Sequence, residues 1–159
     1  MASLKRLSVV RQTSFADCHC VIQGTSVHKV RRSLLEFAAT HVVFQMHVTM
    51  SKGREWVVPC TLRDVAHLHH QLMSTVDDAA FQAALAAVPC PKQPLFRRTN
   101  AFVIKGMCCN LAHYMHNVLQ LCQQLATTST DTATAVAVEG LMRAFLNPIK
   151  QGGGGAPAK

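Results

Sequence analysis

The hydrophobic pattern of this chain changes its period once, and that change limits the possible folds more than any other feature. Up to Thr61, apolar residues tend to alternate with polar ones, which is typical of strands with one buried face. From Asp64 onward they recur every three or four residues, which is typical of amphipathic helices. Strands that come first and helices that follow them predict an α+β domain, with a three-stranded antiparallel sheet against a helical subdomain.

Three segments carry the strand pattern, over residues 17–23, 41–50 and 55–61. Gly24 is expected to end the first strand. Ser51–Arg54 supplies turn residues, so the second and third strands are expected to form a hairpin with Trp56 and Val58 on one face. Pro59 has no amide hydrogen, which predicts that the third strand lies at a sheet edge or carries a bulge.

Four helices are predicted after the strands. The first contains Val65, Leu68 and Leu72, with Asp64 near its N-terminus, where a negative charge favours the helix dipole. The others are expected to run from Asp77-Asp78 through Ala87, onward from Gly106 with an apolar stripe over Leu111–Cys122, and over 136–146.

Two connections are predicted between the later helices. Pro89, Pro91 and Pro94 forbid helix, so residues 88–100 are expected to form an irregular, extended loop. The threonine-rich residues 127–134 are also expected to be a loop.

A chain of 159 residues holds one compact core, which we place over residues 17–147. Residues 1–16 are expected to form a basic arm, and residues 148–159, with four consecutive glycines, a flexible tail. No stretch approaches the run of about 20 apolar residues that a spanning helix needs. The start of the chain also lacks the apolar core of a secretory signal, so we expect an intracellular protein.

The net charge of +8 predicts a partner that carries phosphate, in nucleic acid or at an anionic membrane. One basic zone lies within residues 1–33, which hold six basic residues against Asp17 alone. The other lies within residues 79–130, where no acidic residue occurs. The basic residues of this second zone are Lys92, Arg97, Arg98 and Lys105.

Residues from roughly Cys18 to Leu146 resemble the PX (phox homology) family in the order of their elements and in several motifs. Cys60–Val65 (CTLRDV) is similar to the family's Arg-Arg-Tyr-Ser-Asp-Phe segment, and Val88–Lys92 is similar to its proline-rich stretch ending in Lys. The residues that match the family pattern are Trp56, Asp64, Leu68, His69, Leu72, Lys92, Leu111, Tyr114, Phe145 and Leu146.

This resemblance implies a cytoplasmic module that binds phosphoinositide headgroups on endosomal membranes. The family's arginines would fall at Cys60, Thr61 and Met107, and of its basic positions only Lys92 keeps a cation. Thr and Met cannot form the bidentate, charge-assisted bonds of Arg. Loss of two bonds to a charged partner weakens a site by about two to four orders of magnitude. We therefore expect weak or atypical lipid specificity.

The expected lipid contacts lie in and after the loop at residues 88–100, which the resemblance implies inserts into the bilayer. The residues expected to meet lipid headgroups and the anionic surface are Lys92, Arg97, Arg98 and Lys105. The residues expected to insert are Phe96, Phe102, Val103 and Ile104. In the alternative arrangement, Phe102 and Ile104 point inward as the first residues of the next helix.

Other functions receive less support from the residues. His67, His69 and His70 lack a second ligand pair at zinc spacing, and no cysteine lies in a nucleophile motif, so we expect no metal, no cofactor and no enzyme activity. Seven cysteines at irregular spacing favour free thiols. One Trp and one Tyr provide few stacking platforms for nucleic acid. The main alternative is a protein-interaction module on a PX-like scaffold whose lipid pocket has decayed.

Overall fold

Strands precede helices in the computed structural model, which describes residues 17–30, 39–51 and 53–146. The predicted α+β class is therefore confirmed. The elements are β1 (Cys18–Val30), β2 (Ala39–Met50), β3 (Glu55–Cys60), α1 (Leu62–Thr75), α2 (Ala79–Ala87), α3 (Ala101–Thr128) and α4 (Thr132–Leu146). The predicted arm at residues 1–16 and the tail at 148–159 lie outside the described residues.

The three strands form one antiparallel sheet in the order β1-β2-β3. Gly53 has a φ of 75°, a left-handed conformation that favours glycine, at the turn of the predicted hairpin between β2 and β3. Pro59 pairs with Gln45 on the edge strand β3, as its missing amide hydrogen predicts. The hairpin and the edge position of the proline are both confirmed.

The prediction that Gly24 ends the first strand is wrong, because β1 continues to Val30. The register of β1 against β2 shifts between Ile22 and Gly24, which marks a bulge. A glycine inside a strand often marks such an irregularity rather than a strand end. The bulge lets pairing continue as far as the end of β1.

Two predicted helix bounds are also wrong. Helix α3 begins at Ala101, ahead of Gly106, because the side chain of Asn100 accepts a hydrogen bond from the Phe102 amide at 2.9 Å and caps the helix. The threonine-rich segment contributes residues to both α3 and α4, which leaves only 129–131 as a loop. There Asp131 caps α4 by accepting hydrogen bonds from the Ala133 amide and the Thr134 hydroxyl.

The core lies between the inner face of the sheet and the helices. Helix α3 packs against β1, α2 and α4, while α1 packs against α4. Every second residue of β2 is buried, from Val42 to Val48, and the apolar stripes of α1 and α3 are buried in the same cluster. The Trp56 indole donates a 2.7 Å hydrogen bond from Nε1 to the Leu146 carbonyl, which joins the edge strand to the end of α4.

Candidate functional site

The connection between α2 and α3 and the first turn of α3 together expose three large apolar side chains. Leu95 is 80% exposed, Phe96 81% and Phe102 86%. We call these three residues the apolar tip. Sequence reasoning missed Leu95, although it stands directly before Phe96 in the predicted loop. The other exposed large apolar side chains of the described residues are all valines, at positions 21, 27, 57 and 136.

The loop at residues 88–100 is held by its own hydrogen bonds. Arg98 Nε donates to the Pro94 carbonyl at 3.0 Å, and the Asn100 amide donates to the Arg97 carbonyl at 3.0 Å. Arg97 is left-handed with a φ of 55°, which costs a non-glycine residue about 1 kcal/mol or more. This turn lies between Phe96 and α3.

Residues 102–104 belong to the first turn of α3 rather than to a loop. Val103 and Ile104 are half-buried and pack against the hydrophobic core. Phe102, in contrast, is exposed. The inward arrangement therefore applies to Ile104 and not to Phe102.

A cavity of about 180 Å³ lies where β2, α1, the loop at residues 88–100 and α3 meet. Thr61 and Met107, the two positions where the PX resemblance would have arginine, both line it. Arg63 and Arg98 also line it, from positions outside the family pattern. We call it the Arg63–Arg98 cavity. Its lining residues are His41, Val42, Phe44, Thr61, Leu62, Arg63, Gln93, Arg98 and Met107.

The Arg63–Arg98 cavity has an apolar floor and a polar, cationic wall. Val42, Phe44 and Met107 are buried, whereas His41, Arg63 and Arg98 are exposed. Sequence reasoning missed His41, and it named Arg63 only as a cation that could join Lys92, Arg97 and Arg98 around one pocket. Only their position beside Arg98 in the folded chain identifies them, because these residues are far apart along the sequence.

No carboxylate neutralises either arginine within the part of the chain that the structure describes. There, His47 Nε2 lies 3.3 Å from the Glu55 carboxylate, and Arg143 forms an ion pair with Glu139 at 2.9 Å. Asp64 follows Arg63, but its carboxylate accepts hydrogen bonds from the Thr61 amide at 2.8 Å and hydroxyl at 2.9 Å. Neither Arg63 nor Arg98 is therefore paired with a carboxylate among the described residues.

The other predicted cations do not line the Arg63–Arg98 cavity. Lys92, Arg97 and Lys105 are exposed. Lys92 lies near Cys90, whose thiol interacts with Tyr114. Burial raises the pKa of the Cys90 thiol, while the Tyr114 hydrogen bond and the charge of Lys92 act in the opposite direction.

His69 belongs to a second polar group, on the helical side of the core. Its Nδ1 lies 2.9 Å from the hydroxyl of the buried Tyr114, and burial lowers the pKa of the imidazole. The neutral imidazole can accept the hydrogen bond of the tyrosine. This arrangement satisfies a buried hydroxyl and explains His69 as a structural residue.

A separate groove of about 350 Å³ lies between β3, α1 and α4. Asp64, His67 and Gln71 form its polar side, and α4 contributes an apolar side that includes Leu141 and Phe145. It shares no lining residue with the Arg63–Arg98 cavity. Asp64 therefore faces a different cleft from Arg63.

All seven cysteines are free thiols. Burial raises the pKa of Cys20, Cys60 and Cys122 to about 12, so these thiols stay protonated at neutral pH and are poor nucleophiles. Cys109, in α3, is the exposed one. Within the described ranges, no three His, Cys, Asp or Glu side chains are arranged to hold a metal ion.

Comparison with protein-family models finds no match to this sequence, and comparison with curated proteins finds none either. No helix of the described residues is both long enough and apolar enough to cross a membrane.

The candidate site consists of two adjoining parts, and the loop at residues 88–100 contributes to both. These are the apolar tip with its flanking cations and the Arg63–Arg98 cavity.

Proposed function

We propose that this chain is a peripheral membrane-binding domain that docks onto anionic lipid through the apolar tip. The observation that carries the proposal is the exposure of Leu95, Phe96 and Phe102 in one short region flanked by cations. Within residues 79–130 the charged residues are all basic. An apolar tip with a basic border is what an interfacial membrane site requires.

Burial of apolar side chains and attraction of basic residues to anionic lipid contribute comparable energies to such binding. Full burial of a Leu or Phe side chain contributes roughly 1.5–3 kcal/mol, and a basic residue near an anionic surface contributes about 1 kcal/mol. Stable anchoring takes two such signals together. The tip supplies apolar area, and Lys92, Arg97, Arg98 and Lys105 supply charge.

The start of α3 combines both contributions on one face. Phe102 and Lys105 are three residues apart, so they are neighbours on the surface of the helix. An apolar ring and a cation on one face suit the boundary between acyl chains and headgroups. The Asn100 cap fixes the backbone that carries this pair.

The resemblance to the PX family supports the same function and extends it to phosphoinositides on endosomal membranes, with the protein on the cytoplasmic side. The neutral residues at Thr61 and Met107 favour weak or atypical selection among those lipids. This finer assignment forms part of the proposal.

Vesicle sedimentation tests the proposal. Vesicles of phosphatidylcholine with 30 mol% phosphatidylserine, a composition of about one anionic lipid in three, are the probe at low salt. We expect Phe96→Ala and Phe102→Ala each to weaken binding about tenfold or more, because each removes most of one buried side chain. Both residues are exposed in the free protein, so neither change disturbs the core.

Val136→Ala is the matched control, because Val136 is 59% exposed but lies on α4. It should bind vesicles as the wild type does. Wild-type protein that stays in the supernatant at low salt would overturn the proposal and favour the protein-interaction alternative. Equal weakening by all three variants would also contradict it.

A further inference from the structure

We infer that the groove between β3, α1 and α4 is a docking site for the chain's own residues 147–150, which follow α4 directly. This segment has the sequence Asn147-Pro148-Ile149-Lys150 and lies outside the described residues. Its isoleucine supplies an apolar side chain to the groove, and its lysine supplies a charge. The groove is separate from the apolar tip, so the inference does not depend on the proposed membrane function.

The groove has an apolar floor and an apolar wall. Val58, Cys60 and Leu68 are buried and form its floor. Leu141 and Phe145 of α4 form the wall, and both are only half-buried although they pack against the core. The volume of about 350 Å³ is roughly ten times the 30 Å³ or so that one water occupies in the liquid. An apolar side chain that enters this space leaves water, which favours docking.

The chain leaves α4 at one end of the groove. Helix α4 ends at Leu146, whose carbonyl accepts the 2.7 Å hydrogen bond from the Trp56 indole of β3. Phe145, which precedes that carbonyl, lines the groove, and so does Val58, two residues beyond Trp56. Pro148 disfavours a helical conformation of the residue before it and so opposes continuation of α4. The segment therefore starts beside the groove and not along the axis of α4.

The length of the segment matches the length of the groove. Ile149 is three residues beyond Leu146, so an extended backbone carries it at most about 10 Å from the end of α4. On the opposite side, α1 lines the groove from Asp64 to Gln71. These seven helical steps also span about 10 Å. An isoleucine at this position can therefore reach the apolar wall.

The charge of the groove is complementary to that of the segment. The lining residues include the Asp64 carboxylate and neither lysine nor arginine. Both bonds from Thr61 go to Oδ2 of Asp64, which leaves Oδ1 without a partner among the described residues. Lys150 is the first cation after α4. An exposed ion pair adds little free energy, so burial of Ile149 provides most of the docking energy and Lys150 favours one orientation.

Covalent attachment favours this occupant over a separate molecule. A short flexible connection holds a tethered ligand at a millimolar effective concentration. A contact too weak to retain a free peptide can therefore retain this segment. A partner peptide or a second copy must first displace it, so the segment also restricts access to the groove.

Methyl NMR of the full chain tests the inference directly, because the sequence has only three isoleucines, Ile22, Ile104 and Ile149. The first two pack against the core and report on folding. We expect nuclear Overhauser contacts from the Ile149 δ1-methyl to Leu141 and to the Phe145 ring. We also expect its chemical shift to differ from that of the chain in urea. An Ile149 methyl at the urea position, without these contacts, would overturn the inference.

Two phenylalanine variants locate the contact. Phe145→Leu removes the ring of the groove wall, so the Ile149 methyl signal should move, while the Ile22 and Ile104 signals confirm that the domain is folded. Phe96→Leu is the matched control, because it removes an exposed ring outside the groove. It should leave the Ile149 signal unchanged. Equal movement in both variants would contradict contact with the groove.

Two lysine variants test the charge. Lys150→Glu should lower the ratio of docked to free segment by about twofold to fivefold, because the Asp64 carboxylate then repels residue 150. Lys159→Glu makes the same change of charge nine residues further along and should have no effect. Equal effects of both variants would refute the pairing with Asp64.

Dilution distinguishes the chain's own segment from that of a second copy. An intramolecular contact keeps the Ile149 chemical shift constant over a tenfold range of protein concentration, which is the result we expect. A shift that moves toward the urea position on dilution would identify a second copy as the occupant and overturn the inference.

Discussion

At the scale of single residues, Thr61 stabilises a helix at the position where the PX resemblance would have a ligand-binding arginine. Its hydroxyl accepts a hydrogen bond from the Asp64 amide at 3.3 Å, and the Asp64 carboxylate accepts one from the Thr61 amide at 2.8 Å. This reciprocal capping box fixes the start of α1. Thr61 therefore contributes to stability, while Arg63 supplies the nearby charge.

Replacement of the Thr61 cap should change the free energy of unfolding by a measurable amount. We expect Thr61→Ala to lower the free energy of unfolding by about 1 kcal/mol, because the Asp64 amide loses its partner. Urea denaturation followed by circular dichroism measures the change. Thr61→Ser keeps a hydroxyl and is the control. Identical midpoints for the Ala and Ser variants would show that the cap contributes nothing.

At the scale of the elements, sequence periodicity predicts the order of the strands and helices. An element with one buried face repeats its apolar residues at its own period, which differs between strands and helices. Capping residues such as Asp78 predict where a helix starts, and α2 does start directly after it. The start of α3 could not be predicted in this way, since Val103, Ile104 and Gly106 are poor helix formers. Packing of Val103 and Ile104 on the core outweighs that preference.

The candidate site also has one part that the sequence predicts and one part that it does not. The apolar tip and its cations could be found from the loop sequence, because they lie close together along the chain. The Arg63–Arg98 cavity could not, because β2, α1 and the loop meet only in the folded domain. Local patterns carry no information about that meeting.

Glycines inside helices give a prediction at this scale. Gly106 lies within α3, and a Cβ added there would meet no atom within 4 Å. We expect Gly106→Ala to raise the free energy of unfolding by roughly 0.5–1 kcal/mol, because alanine loses less backbone entropy. Gly53→Ala, at a φ of 75°, should lower it instead. Urea denaturation of both variants gives the two signs, and a loss in Gly106→Ala would contradict the helix assignment.

At the scale of the whole molecule, the loop at residues 88–100 connects the two parts of the candidate site. Arg98 lines the cavity and follows Phe96 by two positions, so the cavity and the apolar tip share one short segment. The fold supports this segment with α2 and α3 on either side.

The sheet and the helical subdomain are joined far from this loop in sequence. Trp56 Nε1 donates to the Leu146 carbonyl at 2.7 Å. Trp56→Phe keeps an aromatic ring but removes the donor, so we expect the free energy of unfolding to fall by about 1 kcal/mol or more. Urea denaturation followed by circular dichroism measures it. Val57→Ala, on the exposed side of β3, is the control and should change it much less; equal effects would assign the loss to the strand alone.

The exposure of Cys109 provides a labelling site on α3 from which the depth of α3 in a bilayer can be measured. Cys109 is seven residues beyond Phe102, which places it about 10 Å along the helix axis. Its neighbour Cys108 is half-buried, and burial raises the pKa of that thiol, so a maleimide dye attaches to Cys109 first. The native chain thus carries a chemical handle at a fixed distance from the apolar tip, and quenchers placed at known bilayer depths can read the tilt of α3 without any engineered cysteine.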